Sequence, residues 1–217
     1  MSAQWVFSKL AYFKAWLQHG GVLPPKYGEL SAVELSQGDI AIDCGANIGD
    51  VTKILCETGA RVYAFEPNPS AFLVLRSRMK RKKNVFCINK GVYDENTTMK
   101  LYLHERAPED QVHWSTGSSL LPFKNNVCKN TFVQIEVIDL CGFIDRLNQP
   151  VKLLKLDVEG VEFRILKKLV ETGLVFRIEH IFAETHEDKI PQLKKEYEEI
   201  QQLIAEKNIQ HINLQWI

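Results

Sequence analysis

The sequence predicts an α/β fold in which a mostly parallel sheet of seven strands carries helices on both faces. From residue 39 onward, short apolar runs alternate with segments of helical periodicity, which is typical of a parallel sheet. One apolar run ends in Asp43 and a glycine-bearing turn, and the next apolar run ends in Glu66. This is the pattern of a strand–loop–helix–strand unit that binds a nucleoside-type cofactor.

The remaining elements follow in regular order. The predicted strands cover residues 39–43, 61–66, 84–88, 91–103, 131–138, 151–156, 178–183 and 210–216. The predicted helices of the domain cover residues 48–58, 69–80, 161–171 and 189–207. The strands at 91–103 and 131–138 are additions to the parallel sheet. Between them, residues 104–130 are polar and include Gly117 and Pro122. A connection of that length in a compact domain predicts a lid or a binding loop.

The first 37 residues are predicted to form an N-terminal amphipathic helix and a linker. Apolar side chains recur at helical spacing over residues 3–18, and Gly20-Gly21 and Pro24-Pro25 follow. We expect this helix to pack on the domain or on a second subunit, which would make the protein a homodimer. Peripheral contact with a membrane surface is the alternative, because the segment carries Lys9 and Lys14 but no acid before Glu29.

Composition excludes several classes of protein. Lys+Arg and Asp+Glu both number 27, so the net charge is zero and we expect no nucleic-acid partner. The five cysteines include no C-x-x-C pair, which disfavours a zinc or redox site and favours the reducing cytoplasm. No apolar run reaches the roughly 18 residues of a membrane span, and the N-terminus lacks the apolar core and cleavage site of a signal peptide.

The loop after the first strand indicates which cofactor is bound. A dinucleotide fold needs G-x-G-x-x-G, but the third glycine is absent here, which disfavours an NAD-type oxidoreductase. Acids flank the loop and suit a cation better than a phosphate. S-adenosylmethionine carries a sulfonium and an ammonium, and Glu66 can accept both ribose hydroxyls. The predicted cofactor-binding residues are Asp43, Gly45, Asn47, Gly49, Asp50, Glu66, Pro67 and Asn68.

Three motifs resemble those of the FkbM-like methyltransferases, a branch of the class I S-adenosylmethionine-dependent enzymes. They are DCGANIGD at 43–50, FEPNP at 65–69 and LLKLDVEGVEFRIL at 153–166. Ser118-Ser119 and Glu184-Thr185-His186 also resemble family positions, whereas VIDLCGF departs from the usual turn. The resemblance spans about residues 39–190 and implies a Rossmann-like fold, and we assign the methyltransferase domain to residues 38–217. It also implies O-methylation, most often of a sugar hydroxyl. A non-sugar small-molecule or lipid acceptor, or a non-catalytic cofactor-binding protein, is the alternative.

A second group of polar residues follows two later strands. Asp157 and Glu159 follow one predicted strand, and Glu184 and His186 follow the next, so they are expected at the ligand-binding edge of the sheet. The predicted catalytic residues are His186, Asp157 and Glu159. His186 is the natural general base because its unperturbed pKa lies near neutrality, with Asp157 as its rival, and Asp157 and Glu159 would position the acceptor hydroxyl. Glu162 is expected to be an ordinary acid in the first turn of a helix.

The acceptor and metal predictions rest on the same region. The long loop supplies Trp114, Ser118 and Ser119, which with Glu184 are predicted to bind a saccharide or other small acceptor. The carboxylates and His186 have the chemistry of magnesium or manganese ligands. We nevertheless expect no metal, because a sulfonium needs no Lewis acid to leave, and activity should therefore survive chelation.

Overall fold

The computed structural model describes residues 29–30 and 32–216. The predicted helix at 3–18 and most of its linker lie outside the described residues, so the proposed division at residue 37 stays a prediction. The described residues from 35 to 216 belong to one compact unit.

A six-stranded sheet forms the centre of the domain. Its strands are β1 (Ile40–Cys44), β2 (Arg61–Phe65), β3 (Val85–Ile88), β7 (Val151–Leu156), β8 (Ile178–Ala183) and β9 (Ile212–Asn213). They lie in the order β3-β2-β1-β7-β8-β9, and every neighbouring pair is parallel. The central strand β1 is buried along its whole length, as expected for a parallel strand that is covered on both faces.

The three other strands form a second sheet, which the sequence analysis did not separate from the first. These are β4 (Gly91–Tyr93), β5 (Thr97–His104) and β6 (Val127–Asp139), in the order β4-β6-β5. The pair β5 and β6 is antiparallel, and much of both strands is exposed. A strand with one solvent-exposed face alternates polar and apolar residues, whereas a strand of a buried parallel sheet is apolar throughout. The alternation in β5 and β6 therefore agrees with a separate sheet. The predicted fold class is confirmed, but the described main sheet has six strands rather than seven.

Five α-helices are present among the described residues 35–216. They are α1 (Asp50–Glu57), α2 (Pro69–Met79), α3 (Leu140–Leu147), α4 (Glu162–Glu171) and α5 (Lys194–Glu206). The sequence analysis missed α3, which begins directly after β6 without an intervening turn residue. Its buried side chains Leu140, Cys141 and Ile144 recur at helical spacing, but eight residues are too few for that period to stand out. Within the described part of the chain, no helix is both long enough and apolar enough to span a membrane.

The strand order places a topological switch point between β1 and β7. The chain proceeds from β1 to β2 on one side and later returns to β7 on the other side. In open α/β sheets, ligands bind outside the carboxyl ends of the strands at such a point. The register pairs Asp43 with Lys155 and Cys44 with Leu156, so the two predicted motifs meet at the switch point.

Candidate active site

The turn after β1 requires its first glycine for a steric reason. Gly45 has a φ of 75°, and a Cβ at this position would lie 1.8 Å from the carbonyl oxygen of Asp157. The amides of Gly45 and Ala46 both donate to the carbonyl of Phe65 at the end of β2. The glycine therefore lets the backbones that follow β1 and β7 come into contact. At Gly49, φ is 91° and a Cβ would lie 2.6 Å from Leu75 Cδ1, so helix packing adds to the requirement.

Glu66 points into this turn rather than into solvent. Its two carboxylate oxygens accept hydrogen bonds from the amides of Asn47 and Asn68, each at 2.7 Å. Burial raises the pKa of Glu66 to about 7, and the two amide hydrogen bonds only partly oppose that rise. The Asn68 side chain caps α2 by accepting from the amides of Ser70 and Ala71. Glu66 thus lies at the predicted place, while Asn68 has a structural task.

Asp43 and Asp50, the two acids that flank the loop, both have partners within the protein. Asp43 is fully buried, accepts from Thr52 Oγ1 at 2.6 Å, and lies 3.3 Å from Lys155 Nζ. Asp50 pairs with Arg78 at 2.7 Å. Their charges are largely compensated, so the argument that they attract a cationic ligand is weaker than the sequence suggested.

Lys155 is a central residue that the sequence analysis did not single out. Its buried ammonium lies 3.3 Å from Asp43 and 3.4 Å from Asp157, and donates to the carbonyls of Cys44 and Gly45. Burial alone lowers the pKa of Lys155, but the Asp157 and Asp43 carboxylates outweigh it and raise the pKa above its usual range. A lysine inside an apolar strand was the available sequence signal, because such a charge needs partners.

Beyond β7 and β8, four acids surround His186. The Nε2 atom of the imidazole lies 3.1 Å from Glu159, 3.8 Å from Glu184 and 4.0 Å from Asp157, and the Nδ1 atom lies 3.0 Å from Glu162. The structure thus brings together the residues predicted at these two strand ends. Glu162 also accepts hydrogen bonds from the amides of Val158 and Gly160, so it holds the loop and orients the ring.

The environment of His186 argues against the role of general base. Burial alone lowers its pKa, but Glu159 and Glu162 outweigh burial and raise the pKa to about 10. A raised pKa favours the imidazolium form of the ring, which has no free lone pair to accept a proton. It is also fully buried, whereas the Asp157 side chain is 26% exposed. Of the two rivals, the structure favours Asp157 as the group that an acceptor can reach.

Replacing His186 with glutamine should therefore destabilise the protein in a pH-dependent way. Because the folded-state pKa lies above the unfolded value of about 6.5, the stabilisation is fully present below pH 6.5 and is lost as the pH rises through about 10. We expect a loss on the order of 3 kcal/mol at pH 6 that shrinks toward pH 10.5. Urea unfolding of both proteins across this range measures the difference, and a pH-independent loss would contradict the assignment.

Glu159 has an unusual backbone and shares its carboxylate between two cations. Its φ is 60°, in the left-handed region that non-glycine residues rarely occupy. The carboxylate contacts both His186 and Lys124 Nζ. Burial raises the pKa of Glu159, but these two cations outweigh burial and lower it overall. Lys124 comes from the long loop, and nothing in its local sequence marked it.

The residues predicted to bind the acceptor differ in whether their side chains already have partners within the protein. Trp114 stacks on His104 with ring centres 4.6 Å apart, and the guanidinium of Arg106 lies 4.2 Å from the centre of the Trp114 ring. Ser119 donates to the Glu159 carbonyl. Ser118 is buried, and its hydroxyl has no hydrogen-bond partner among the described residues. The Trp114 ring and the Ser119 hydroxyl are thus engaged within the protein, and Ser118 has the uncommitted hydroxyl.

The same cluster has the geometry of a possible cation site. Ligand atoms of Asp157, Glu159 and His186 all lie within 4.8 Å of one another. Asp157 is already paired with Lys155, and Glu159 with Lys124. These ammonium groups supply the positive charge that a metal ion would bring, which is compatible with metal-independent activity. That expectation stays a prediction.

Comparison with known proteins identifies the family. The model of the methyltransferase FkbM domain matches residues 43–210, which include the loop after β1, Glu66 and the whole histidine cluster. The chain belongs to the FkbM methyltransferase family. The FkbM-type chain is accordingly an S-adenosylmethionine-dependent methyltransferase, and the prediction of family, activity and cofactor is confirmed.

Two relatives of this FkbM-family protein show how far the similarity extends. The 31-O-demethyl-FK506 methyltransferase FkbM of Streptomyces tacrolimicus is 28% identical over 208 residues, covering 85% of this chain and 75% of the relative. The hexuronic acid methyltransferase AglP of Haloferax volcanii is 25% identical over 154 residues, covering 70% of this chain and 58% of the relative. The chain thus spans less than two thirds of the length of AglP.

The solved structures that resemble the FkbM-family chain are more distant. A putative rRNA methylase from Clostridium thermocellum has a TM-score of 0.45 at 12% identity, over 83% of this chain and 81% of the other. The putative methyltransferase SMU.1697c from Streptococcus mutans, in complex with SAH, has a TM-score of 0.43 at 15% identity, over 85% and 84%.

Proposed function

We propose that this protein transfers a methyl group from S-adenosylmethionine to a hydroxyl of a saccharide, with Asp157 as the general base. The position of Asp157 is the main support for this proposal. Its carboxylate is partly exposed at the switch point, its backbone contacts Gly45, and it lies beside the buried His186. An acceptor at this edge of the sheet would meet Asp157 and the cofactor together.

The cofactor would lie along the carboxyl ends of β1 and β2. Glu66 would accept hydrogen bonds from the ribose hydroxyls, because each carboxylate oxygen has a lone pair beyond the one that its backbone amide occupies. This placement directs the methyl group toward the end of β7.

Methyl transfer to a hydroxyl is an in-line displacement at carbon. The acceptor oxygen forms the new C–O bond while the C–S bond breaks, and S-adenosylhomocysteine leaves as a neutral thioether. The hydroxyl proton passes to Asp157 Oδ1 or Oδ2. Lys155, 3.4 Å from Asp157, holds that carboxylate in place, and alignment of oxygen, carbon and sulfur supplies much of the rate.

One relative and the carboxylates near His186 favour a saccharide as the acceptor. AglP is named for hexuronic acid, and the carboxylates of Asp157 and Glu184 and the free hydroxyl of Ser118 are the kind of groups that bind sugar hydroxyls. The name of the Streptomyces relative refers to FK506, so a hydroxyl of a non-saccharide small molecule is the second candidate.

A labelled-methyl transfer assay tests the proposal. The protein, with S-adenosylmethionine carrying a labelled methyl group, is incubated with uronic acid glycosides, neutral hexose glycosides, a polyhydroxylated macrolactone and a peptide amine, each with and without EDTA. We expect label in a saccharide as an alkali-stable ether, in equal yield with EDTA. Label only in the macrolactone selects the second candidate, and label only in amines overturns O-methylation. Loss of activity with EDTA that magnesium or manganese restores would overturn metal independence.

A further inference from the structure

Part of the long loop contacts both halves of the candidate site. We call residues 115–124 the bridging segment. At one end, Asn47 Nδ2 in the cofactor loop donates to Ser115 Oγ at 3.1 Å. Further along, Ser119 Oγ donates to the carbonyl of Glu159 at 2.5 Å, and Lys124 pairs with the carboxylate of the same residue. The segment therefore connects the loop after β1 with the loop after β7.

Glu159 is the residue of this arrangement that most needs external support. Its left-handed backbone is unfavourable for a side chain with a Cβ, and strained residues persist where their surroundings over-determine them. Ser119 fixes its carbonyl, while His186 and Lys124 fix its carboxylate. Gly160 beside it packs tightly on the segment, since a Cβ there would lie 2.6 Å from Leu121 Cδ1.

Lys124 is buried, with 4% of its side chain exposed. Its ammonium has two described partners, the Glu159 carboxylate and the carbonyl of Gly117 at 3.1 Å. A buried ammonium is costly unless it is paired and hydrogen-bonded, so these two partners fix where Lys124 lies. Through these partners, Lys124 connects the two ends of the bridging segment with each other and connects the segment with the loop after β7.

We propose that Lys124 is a positioning residue for methyl transfer: it holds the Glu159 carboxylate against His186 and ties the bridging segment over the site. The proposal rests on the proposed function, because the alignment that it preserves is that of the acceptor with Asp157. Lys124 does not touch the reacting atoms. Its loss should misalign the acceptor while leaving the cofactor site at Glu66 in place.

The first test compares Lys124→Met with Lys129→Met, a matched change of an exposed lysine on β6. We expect Lys124→Met to lower kcat by about 10- to 100-fold and to leave the Kd of S-adenosylmethionine within about twofold, with Lys129→Met unchanged in both. Because Lys124 acts through Glu159, the same change in a Glu159→Gln background should cost less than about threefold. An equal loss in both backgrounds, or a parallel loss of cofactor affinity, overturns the proposal.

Hydrogen–deuterium exchange supplies a readout that needs no acceptor. Lys124→Met should speed amide exchange in peptides covering 115–124 and 157–160 by roughly tenfold, and Lys129→Met should not. Unchanged exchange overturns the positioning role. Absence of saccharide methylation by the unaltered protein overturns the proposed function instead. Should Lys124→Met not fold, Lys124→Gln keeps a donor for the Gly117 carbonyl without the charge and undergoes the same measurements.

Discussion

Replacing Asp157 with asparagine should lower kcat by about 10²–10⁴-fold while leaving cofactor affinity nearly unchanged. The substitution keeps the size of the side chain but removes the proton acceptor that the structure exposes at the end of β7. It also leaves Lys155 paired with Asp43, so the fold should be retained. Single-turnover methyl transfer at saturating S-adenosylmethionine, together with calorimetric cofactor binding, separates the two effects.

Asp188→Asn is the matched control for Asp157→Asn, because Asp188 is exposed in the segment that follows β8. It should leave kcat unchanged. The comparison with His186→Gln decides between the two rival bases. If Asp157→Asn keeps full kcat, and folded His186→Gln loses it with cofactor affinity intact, the imidazole is the base and the assignment of Asp157 is wrong.

Replacing Glu66 with glutamine should raise the Kd of S-adenosylmethionine by about 10- to 100-fold, since hydrogen bonds to charged groups contribute about 1.5–3 kcal/mol. An amide cannot accept with both of its terminal atoms, so the amide of Asn47 or Asn68 also loses its acceptor. The kcat at saturating cofactor should change much less. Isothermal titration calorimetry measures the affinity, and Glu57→Gln at the exposed end of α1 is the control.

The affinity for S-adenosylmethionine should also depend on pH through Glu66. Burial raises the pKa of this group to about 7, and the ionised carboxylate is the better acceptor for ribose hydroxyls. Affinity should therefore weaken as the pH falls from 8 to 6, and Glu66→Gln should flatten that dependence. A Glu66→Gln protein with unchanged affinity and the same pH profile would remove Glu66 from the cofactor site.

The sequence predicted the positions of the site residues better than it predicted their chemical roles. The sequence placed Asp157, Glu159, Glu184 and His186 at one edge of the sheet, and they lie together there. It assigned proton abstraction to His186 from an unperturbed pKa near neutrality. The carboxylates on both sides of the ring raise its pKa and so disfavour that assignment, because a pKa depends on the distances between charges.

Trp114 and Asp43 show the same limit. Their residue types suit a sugar ring and a cationic ligand. In the fold, however, the Trp114 ring packs on His104 and Arg106, and Asp43 pairs with Lys155 across the register of β1 and β7. The partner of Asp43 lies more than a hundred residues away in the chain, so no local pattern identifies it.

The sequence by itself determined the parallel α/β architecture, the glycine turn and the acids at the strand ends. Strand periodicity and the steric demands at a turn are local properties, and the carboxyl ends of parallel strands necessarily converge. Only the tertiary structure decided that β4, β5 and β6 form a sheet of their own and that Lys124 and Lys155 are buried against Glu159 and Asp157. These outcomes depend on long-range packing, and the packing sets which charge is neutralised and which carboxylate stays accessible.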